Sequence, residues 1–203
     1  PMDFDNAGFL VGRGEREVRK ILVSLDITEP VADEAADWGA DLIVAHHPVI
    51  FHPVKRLTDE APTGRTLLAL AERGIAAICA HTNLDAAQGG VNVCLAQALE
   101  LTDLEQLHQD GVDDGGKPVR RVAVGGGSCG SMLADAAAAG CDTFVTADVK
   151  YDQFLEARAL GITLMDAGHY ATENVVCPKI VQYLSLKFPG IPMQIAQNHR
   201  EAY

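Results

Sequence analysis

An α/β fold in two similar lobes, each of three-layer α/β/α character, is predicted by three observations. Short apolar runs alternate with amphipathic stretches in the order strand, helix, strand, helix, strand, and after a polar break the order begins again. Val18-Arg19, Val23, Ala35-Ala36, Gly39, Asp41 and Val44 recur as Val119-Arg120, Val124, Ala136-Ala137, Gly140, Asp142 and Val145, always 101 positions later and without a gap. Residues able to bind a metal close apolar runs in both halves, where open α/β sheets gather ligands at the carboxyl ends of their strands. Any two β-α-β units share Val, Ala and Gly, but the paired Val-Arg and Gly-x-Asp at one offset favour a duplication. The expectation is a metal cleft between the lobes.

Residues 19–25 (RKILVSL) read as a buried strand, and Glu29 to Trp38 as a helix with Pro30 in its first turn, where proline is tolerated. Residues 41–45 form the next strand, Gly64 to Arg73 a helix, Ile75 to Ala80 a third strand and Val91 to Leu99 a helix. Asp103 to Lys117 is polar and rich in Gly and Asp. The lobes are therefore assigned to residues 1–105 and 119–203, with 106–118 as linker. Gly74-Ile75 and Gly161-Ile162 each open a further strand that ends near a histidine.

With 203 residues the chain can bury a substantial core, and 48% hydrophobic with 22% charged residues is ordinary for a soluble globular protein. Its 16 basic and 28 acidic residues give a net charge of −12, which repels phosphate backbones. No Lys/Arg cluster exceeds a pair, so nucleic acid is disfavoured as a partner. No apolar run approaches the ~20 residues of a membrane-spanning helix. The five cysteines are isolated, and their odd number, with no signal peptide in view, predicts a reducing cytoplasm. Pro1-Met2-Asp3 reads as a truncated or processed start.

His46 and His47 follow Leu42-Ile43-Val44-Ala45, and Asp85 closes a turn after Ile75-Ala76-Ala77-Ile78-Cys79. His169 follows Ile162-Thr163-Leu164-Met165, with Glu173 four residues on. Three imidazoles and two carboxylates exceed the need of one tetrahedral ion and approach that of two adjacent divalent ions. Neighbouring strand residues face opposite ways, so His46 and His47 can share a site only where the chain leaves the sheet, as Pro48 suggests. A solvated loop pair is the plainer reading. His52 could stand behind the metal ligands or simply lie at the surface, the plainer reading. Asp85 could equally form an Asx turn or a helix cap. His169 and Glu173, at i and i+4, share one helix face; the competing reading is a carboxylate favoured at a helix N-terminus. Nitrogen and oxygen donors suit Zn, Mn, Fe, Co or Ni without choosing among them. The run Gly125-Gly126-Gly127-Ser128-Cys129-Gly130-Ser131 could cradle a phosphate or simply make a tight strand-to-helix turn.

Asp5-Asn6-x-Gly8, Ala45-His46-His47-Pro48, His81-Thr82-Asn83-Leu84-Asp85, Gly125-Gly126-Gly127-Ser128 and Asp166-Ala167-Gly168-His169 with Glu173 resemble the NIF-three-like dinuclear metal-centre family, whose members carry the label GTP cyclohydrolase I type 2. The resemblance spans most of the chain in the right order. It implies that His46 and His169 bind one ion and His47 and Asp85 the other, with Glu173 bridging. It also implies two-lobed α/β subunits in a hexameric ring. The chain departs from that pattern in lacking a helix before Asp5-Asn6 and a glycine-rich segment between the lobes. It also has Ala147-Asp148 and Asp152 where the family has Gly-Glu and a histidine.

The function expected on this reading is metal-dependent hydrolysis of a nucleotide or similar small molecule, using two divalent ions per chain (Zn, Fe or Mn). His81 is the candidate proton shuttle, and Asn6 and Lys150 are candidate substrate contacts. GTP is pointed to by the resemblance, not by any nucleotide motif. The alternative is a non-catalytic metal-binding, metal-delivery or regulatory protein, which would have closed coordination and no adjoining pocket.

Overall fold

The computed structural model describes residues 5–104 and 119–200. They fall into two compact units, one made of Pro1–Ala87 with Cys177–Tyr203 and the other of Gln88–Val176. The linker expected at 106–118 lies outside the described residues.

The first unit contains β1 (Gly8–Val11), β2 (Ile21–Ser24), α1 (Glu29–Trp38), β3 (Leu42–Ala45), α2 (Pro62–Arg73), β4 (Ala76–Cys79) and α3 (His81–Asp85). The end of the chain adds α8 (Cys177–Lys187) and β8 (Met193–Ile195). Its sheet runs β1-β4-β3-β2-β8, with β1 antiparallel to β4 and every other pair parallel. β2 and β3 are buried along their whole length, as central strands of a parallel sheet are, which is why their sequences show no alternation. Leu22, Ile43 and Ala77 pack with Val31, Ala35 and Leu70 of α1 and α2 in one core cluster. α8 packs on β2 and β8. Burial raises the thiols of Cys79 to about 11 and Cys177 to about 12, so they behave as small apolar side chains.

The second unit contains α4 (Val91–Ala98), β5 (Val122–Val124), α5 (Leu133–Ala138), β6 (Thr143–Thr146), α6 (Tyr151–Leu160), β7 (Thr163–Asp166) and α7 (His169–Glu173). Its parallel sheet runs β5-β6-β7. Phe144, Leu133, Ala136 and Ala157 form the core of this unit.

Val91–Ala98 contacts β5 and α7 and so belongs with the second unit. The last stretch of chain returns to the first, because β8 pairs with β2 in the register Ile21↔Met193 to Val23↔Ile195. An edge strand of three residues carries no sequence signal for which sheet it joins.

The 101-residue repeat is a repeat of hydrogen bonds. The Arg19 amide donates to Asp41 Oδ2 at 2.9 Å, and the Arg120 amide donates to Asp142 Oδ2 at 2.8 Å. The Asp41 amide donates to the Lys20 carbonyl and the Asp142 amide to the Arg121 carbonyl, at 3.1 and 3.0 Å. Gly39 (φ 75°) and Gly140 (φ 73°) end α1 and the helical turn after α5 in the left-handed conformation that glycine adopts without strain. Val23 pairs with Val44 and Val124 with Val145. The residues that recur in sequence are thus those that set the same strand-helix-strand corner twice.

Candidate metal centre

In the first unit, β3 delivers His46 and His47 as the chain leaves the sheet. The His46 amide still donates to the Ser24 carbonyl (3.3 Å) and the His47 amide to the Leu25 carbonyl (2.9 Å). The two rings nevertheless converge, with centroids 4.9 Å apart. β4 delivers α3, a five-residue helix with His81 at its start and Asp85 at its end. His81 lies 5.5 Å from His46 and 5.7 Å from His47, ring centre to ring centre, and Asp85 Oδ1 lies 3.5 Å from His46 Nε2. Three imidazoles and a carboxylate are therefore gathered in one place. Phe51, half exposed, stands edge-on to His81 with centroids 5.8 Å apart.

In the second unit, β7 delivers α7, another five-residue helix, with His169 at its start and Glu173 at its end. His169 Nε2 lies 3.0 Å from Glu173 Oε2. Both units thus place a His-x-x-x-carboxylate helix directly after the third strand of the repeat. Glu173 is the last residue of α7, as Asp85 is of α3. Side chains at i and i+4 share a helix face, which is how a helix presents an imidazole and a carboxylate together.

Each of three imidazoles has its Nδ1 on a carboxylate. His47 Nδ1 is 2.7 Å from Asp26 Oδ1, His81 Nδ1 is 2.8 Å from Asp5 Oδ1, and His169 Nδ1 is 2.7 Å from Asp148 Oδ2. Such a bond fixes the ring and makes Nε2 the more basic donor, as is usual for histidines that bind metals. Asp5 also accepts the amides of Asn6 and Thr82 and the Thr82 hydroxyl. Burial works to raise its pKa, but the bonds from Thr82 and His81 outweigh it and hold the carboxyl at about 2. Glu173 chiefly, with Asp148, holds the His169 imidazolium up to about 9 against the opposing effect of burial.

The sequence reading did not reach Asp5, Asp26 or Asp148 as orienting groups. The repeat holds a signal for Asp148, which stands 101 positions after His47 at the same exit from the sheet. Asp148 adopts φ 52°, a left-handed conformation that aspartate tolerates better than most residues.

The glycine run has a different use from a phosphate cradle. The Gly126 amide donates to Asn92 Oδ1, the Gly127 amide to Thr172 Oγ1 and the Cys129 amide to Thr146 Oγ1, at 2.9, 3.0 and 3.0 Å. A Cβ on Gly127 would fall 2.1 Å from Glu173 Oε1. The glycines clear the space that Glu173 occupies.

Of the candidate substrate contacts, Asn6 donates its side-chain amide to the Ile50 carbonyl at 2.5 Å, tying the first strand to the segment after His46 and His47. Lys150 precedes α6, its backbone amide donating to Gln153 Oε1 at 2.8 Å.

The sequence model described as Duf34/NIF3 (NGG1p interacting factor 3) matches residues 1–115 and 108–201. The chain belongs to the DUF34/NIF3 family. A relative from Clostridium perfringens named "GTP cyclohydrolase 1 type 2 homolog" is 30% identical, over 87% of this chain and 82% of its own length. One of the same name from Streptomyces coelicolor is 32% identical, over 86% and 76%. A solved Bacillus cereus protein related to NIF3 superposes with a TM-score of 0.88 at 21% identity, covering 100% of this chain and 93% of that one. HcgD from Methanocaldococcus jannaschii, solved in a reduced form, gives 0.82 at 24%, covering 97% and 91%. At those identities the two structures bear on the fold alone.

The donor chemistry fits a divalent cation. Each unit of this DUF34/NIF3 protein sets His nitrogens beside carboxylate oxygens, with ring orientation fixed from behind, and no cysteine takes part. Among the described residues no helix is long and apolar enough to cross a membrane.

Proposed function

We propose that this protein is a metal-dependent hydrolase with a centre for two divalent ions, acting on a nucleotide or similar small molecule. His46 and His169 would hold one ion, His47 and Asp85 the other, and Glu173 both. The observation that carries this reading is the three-fold use of a carboxylate behind an imidazole: Asp26, Asp5 and Asp148 aim His47, His81 and His169 by their Nε2 atoms. A purely structural role does not call for three histidines held this way beside two further carboxylates.

Two such ions would supply Lewis acidity and a lowered pKa for water between them. The chain's own residues do the rest. Asp5 keeps His81 in one orientation beside His46 and His47, close enough to carry a proton to or from a reacting group. Phe51 supplies an apolar ring edge next to His81 against which a planar ligand could rest. Support for a nucleotide is the name borne by the relatives at 30–32% identity.

Assembly into a homo-oligomer, a hexameric ring on the family resemblance, belongs to the same proposal. It is supported by exposed apolar side chains on α6 (Tyr151, Phe154, Leu155) and on and just after α8 (Tyr183, Leu186, Phe188).

The test is a screen of nucleoside triphosphates and simpler phosphate and amide substrates with metal-free protein reloaded separately with Zn, Mn and Fe. Turnover that depends on metal and falls at least ~100-fold in His81→Ala, with metal content retained, supports the reading. Metal-loaded protein inert towards all of them would favour the metal-delivery alternative, and metal-dependent turnover unaffected by His81→Ala would remove His81 as the proton shuttle.

A further inference from the structure

The return of the chain's end to the first unit gives the metal residues an anchor that neither the repeat nor the motifs contain. Because β8 runs parallel to β2 with Ile195 beside Val23, the residues after β8 pass the end of β2, where the chain turns towards Asp26. The Ala196 amide donates to the Val23 carbonyl at 2.7 Å. Glu34 on α1 then pins the next two residues, its carboxylate accepting the Gln197 amide at 2.8 and 3.0 Å and the Asn198 amide at 2.8 Å. This sets His199, buried, with Nδ1 accepting the Leu25 amide at 3.0 Å. On the other side of the same residue, the Leu25 carbonyl accepts the His47 amide at 2.9 Å, and the next residue, Asp26, holds His47 Nδ1 at 2.7 Å.

We infer that His199 is a positioning residue for the metal site: through Leu25 and Asp26 it fixes both the backbone and the ring of His47. The proposal rests on the metal-binding role of His47 given above. Three features make a structural tie alone a poor account. The Leu25 amide is bonded by a buried imidazole, a group that costs more to desolvate than an apolar side chain of similar size. It falls on the one residue between β2 and the carboxylate that orients His47. And the tail that brings it is held by Glu34 through three contacts beyond the last strand pair, so the position of His199 is imposed and not incidental. The Leu25 amide makes Nδ1 an acceptor, and burial pushes the His199 pKa in the same sense, down, against the opposing charges of Asp26 and Glu34.

The test compares wild type with His199→Ala and His199→Asn by chelator competition for Zn and by the visible spectrum of the Co-substituted protein. Asn Oδ1 stands where His Nδ1 does, so His199→Asn keeps the acceptor. The expected result is a ~10–100-fold loss of affinity for one of two ions in His199→Ala, as for loss of other groups behind a metal-binding histidine. The Co spectrum should alter with it, and His199→Asn should remain within ~3-fold of wild type. If His199→Ala does not fold, Glu34→Ala, made at the exposed end of the same tie, must weaken that ion several-fold. Two ions bound at unchanged affinity in whichever of His199→Ala and Glu34→Ala folds would overturn this inference while leaving the metal centre standing. Equal losses in His199→Ala and His199→Asn would also overturn it. No metal bound by wild type would overturn both.

Discussion

Gly127 and Glu173 cannot both keep their places if Gly127 acquires a side chain: a Cβ there would sit 2.1 Å from Glu173 Oε1 and 3.3 Å from His169 Cε1. Gly127 also has φ 65°, which strains any other residue except Asn or Asp. Gly127→Ala should therefore displace the carboxylate and cost about 1–3 kcal/mol of stability. Chelator competition and thermal melts should show weaker metal binding together with a lower Tm; a variant that binds metal as wild type does would mean that Glu173 is not a ligand.

Asp148→Asn and Asp26→Asn test the groups behind the imidazoles. Asparagine tolerates the left-handed backbone of Asp148, so the fold should persist. Each change should weaken metal binding ~10–100-fold with little effect on the metal-free melting curve. Isothermal titration of metal-free protein with Zn checks both.

The His169 imidazolium gives a pH dependence whose sign is determined. Its pKa in the fold, about 9, lies above the ordinary 6.5 because of Glu173 and Asp148. A raised pKa contributes stability that is fully present below 6.5 and is lost as pH rises through about 9. Denaturant melts in the presence of chelator should show this loss between those values, and Glu173→Gln should flatten it. Metal uptake should release protons across the same window, seen as a buffer-dependent heat of binding.

Asp5 behaves in the opposite sense. Its carboxyl, held at about 2 against an ordinary 3.8, contributes stability above 3.8 that is lost as pH falls towards 2. Asp5→Asn should remove that acid-limb dependence and loosen His81. Melts between pH 5 and 2.5 separate variant from wild type.

Asp41 and Asp142 allow the duplication to be tested as physics. Each accepts the amide at the start of its repeat, and Asp41 is the more buried and also lies 3.7 and 3.8 Å from Arg16 and Arg19. Asp41→Ala removes a buried acceptor from the Arg19 amide and should cost about 1 kcal/mol, with Asp142→Ala costing less. Equal costs in denaturant melts would contradict this account of the corner.

The central strands of both sheets were legible because their signals are local. Buried apolar runs such as Ile21–Ser24 and Leu42–Ala45 name central parallel strands, and the left-handed glycines Gly39 and Gly140 mark where helices end. His46, His47, Asp85, His169 and Glu173 stood out because each closes such a run, and within each unit the structure draws its members together. What the sequence hid is long-range. Met193–Ile195 could have joined either sheet, and only pairing with β2 decides. Asp26 and Asp5 reach His47 and His81 across 21 and 76 positions, a separation with no periodicity to betray it. The glycine run was ambiguous because its amides are satisfied by Asn92, Thr172 and Thr146, side chains that no local pattern connects to it.

The central claim is the proposed centre for two divalent ions, and metal content measures it most directly. Elemental analysis of chelator-free protein should find about two divalent ions per chain, with both retained poorly by Glu173→Ala and one lost from His46→Ala. Protein that binds no Zn, Mn or Fe, or whose metal content is the same in all three forms, would contradict the account.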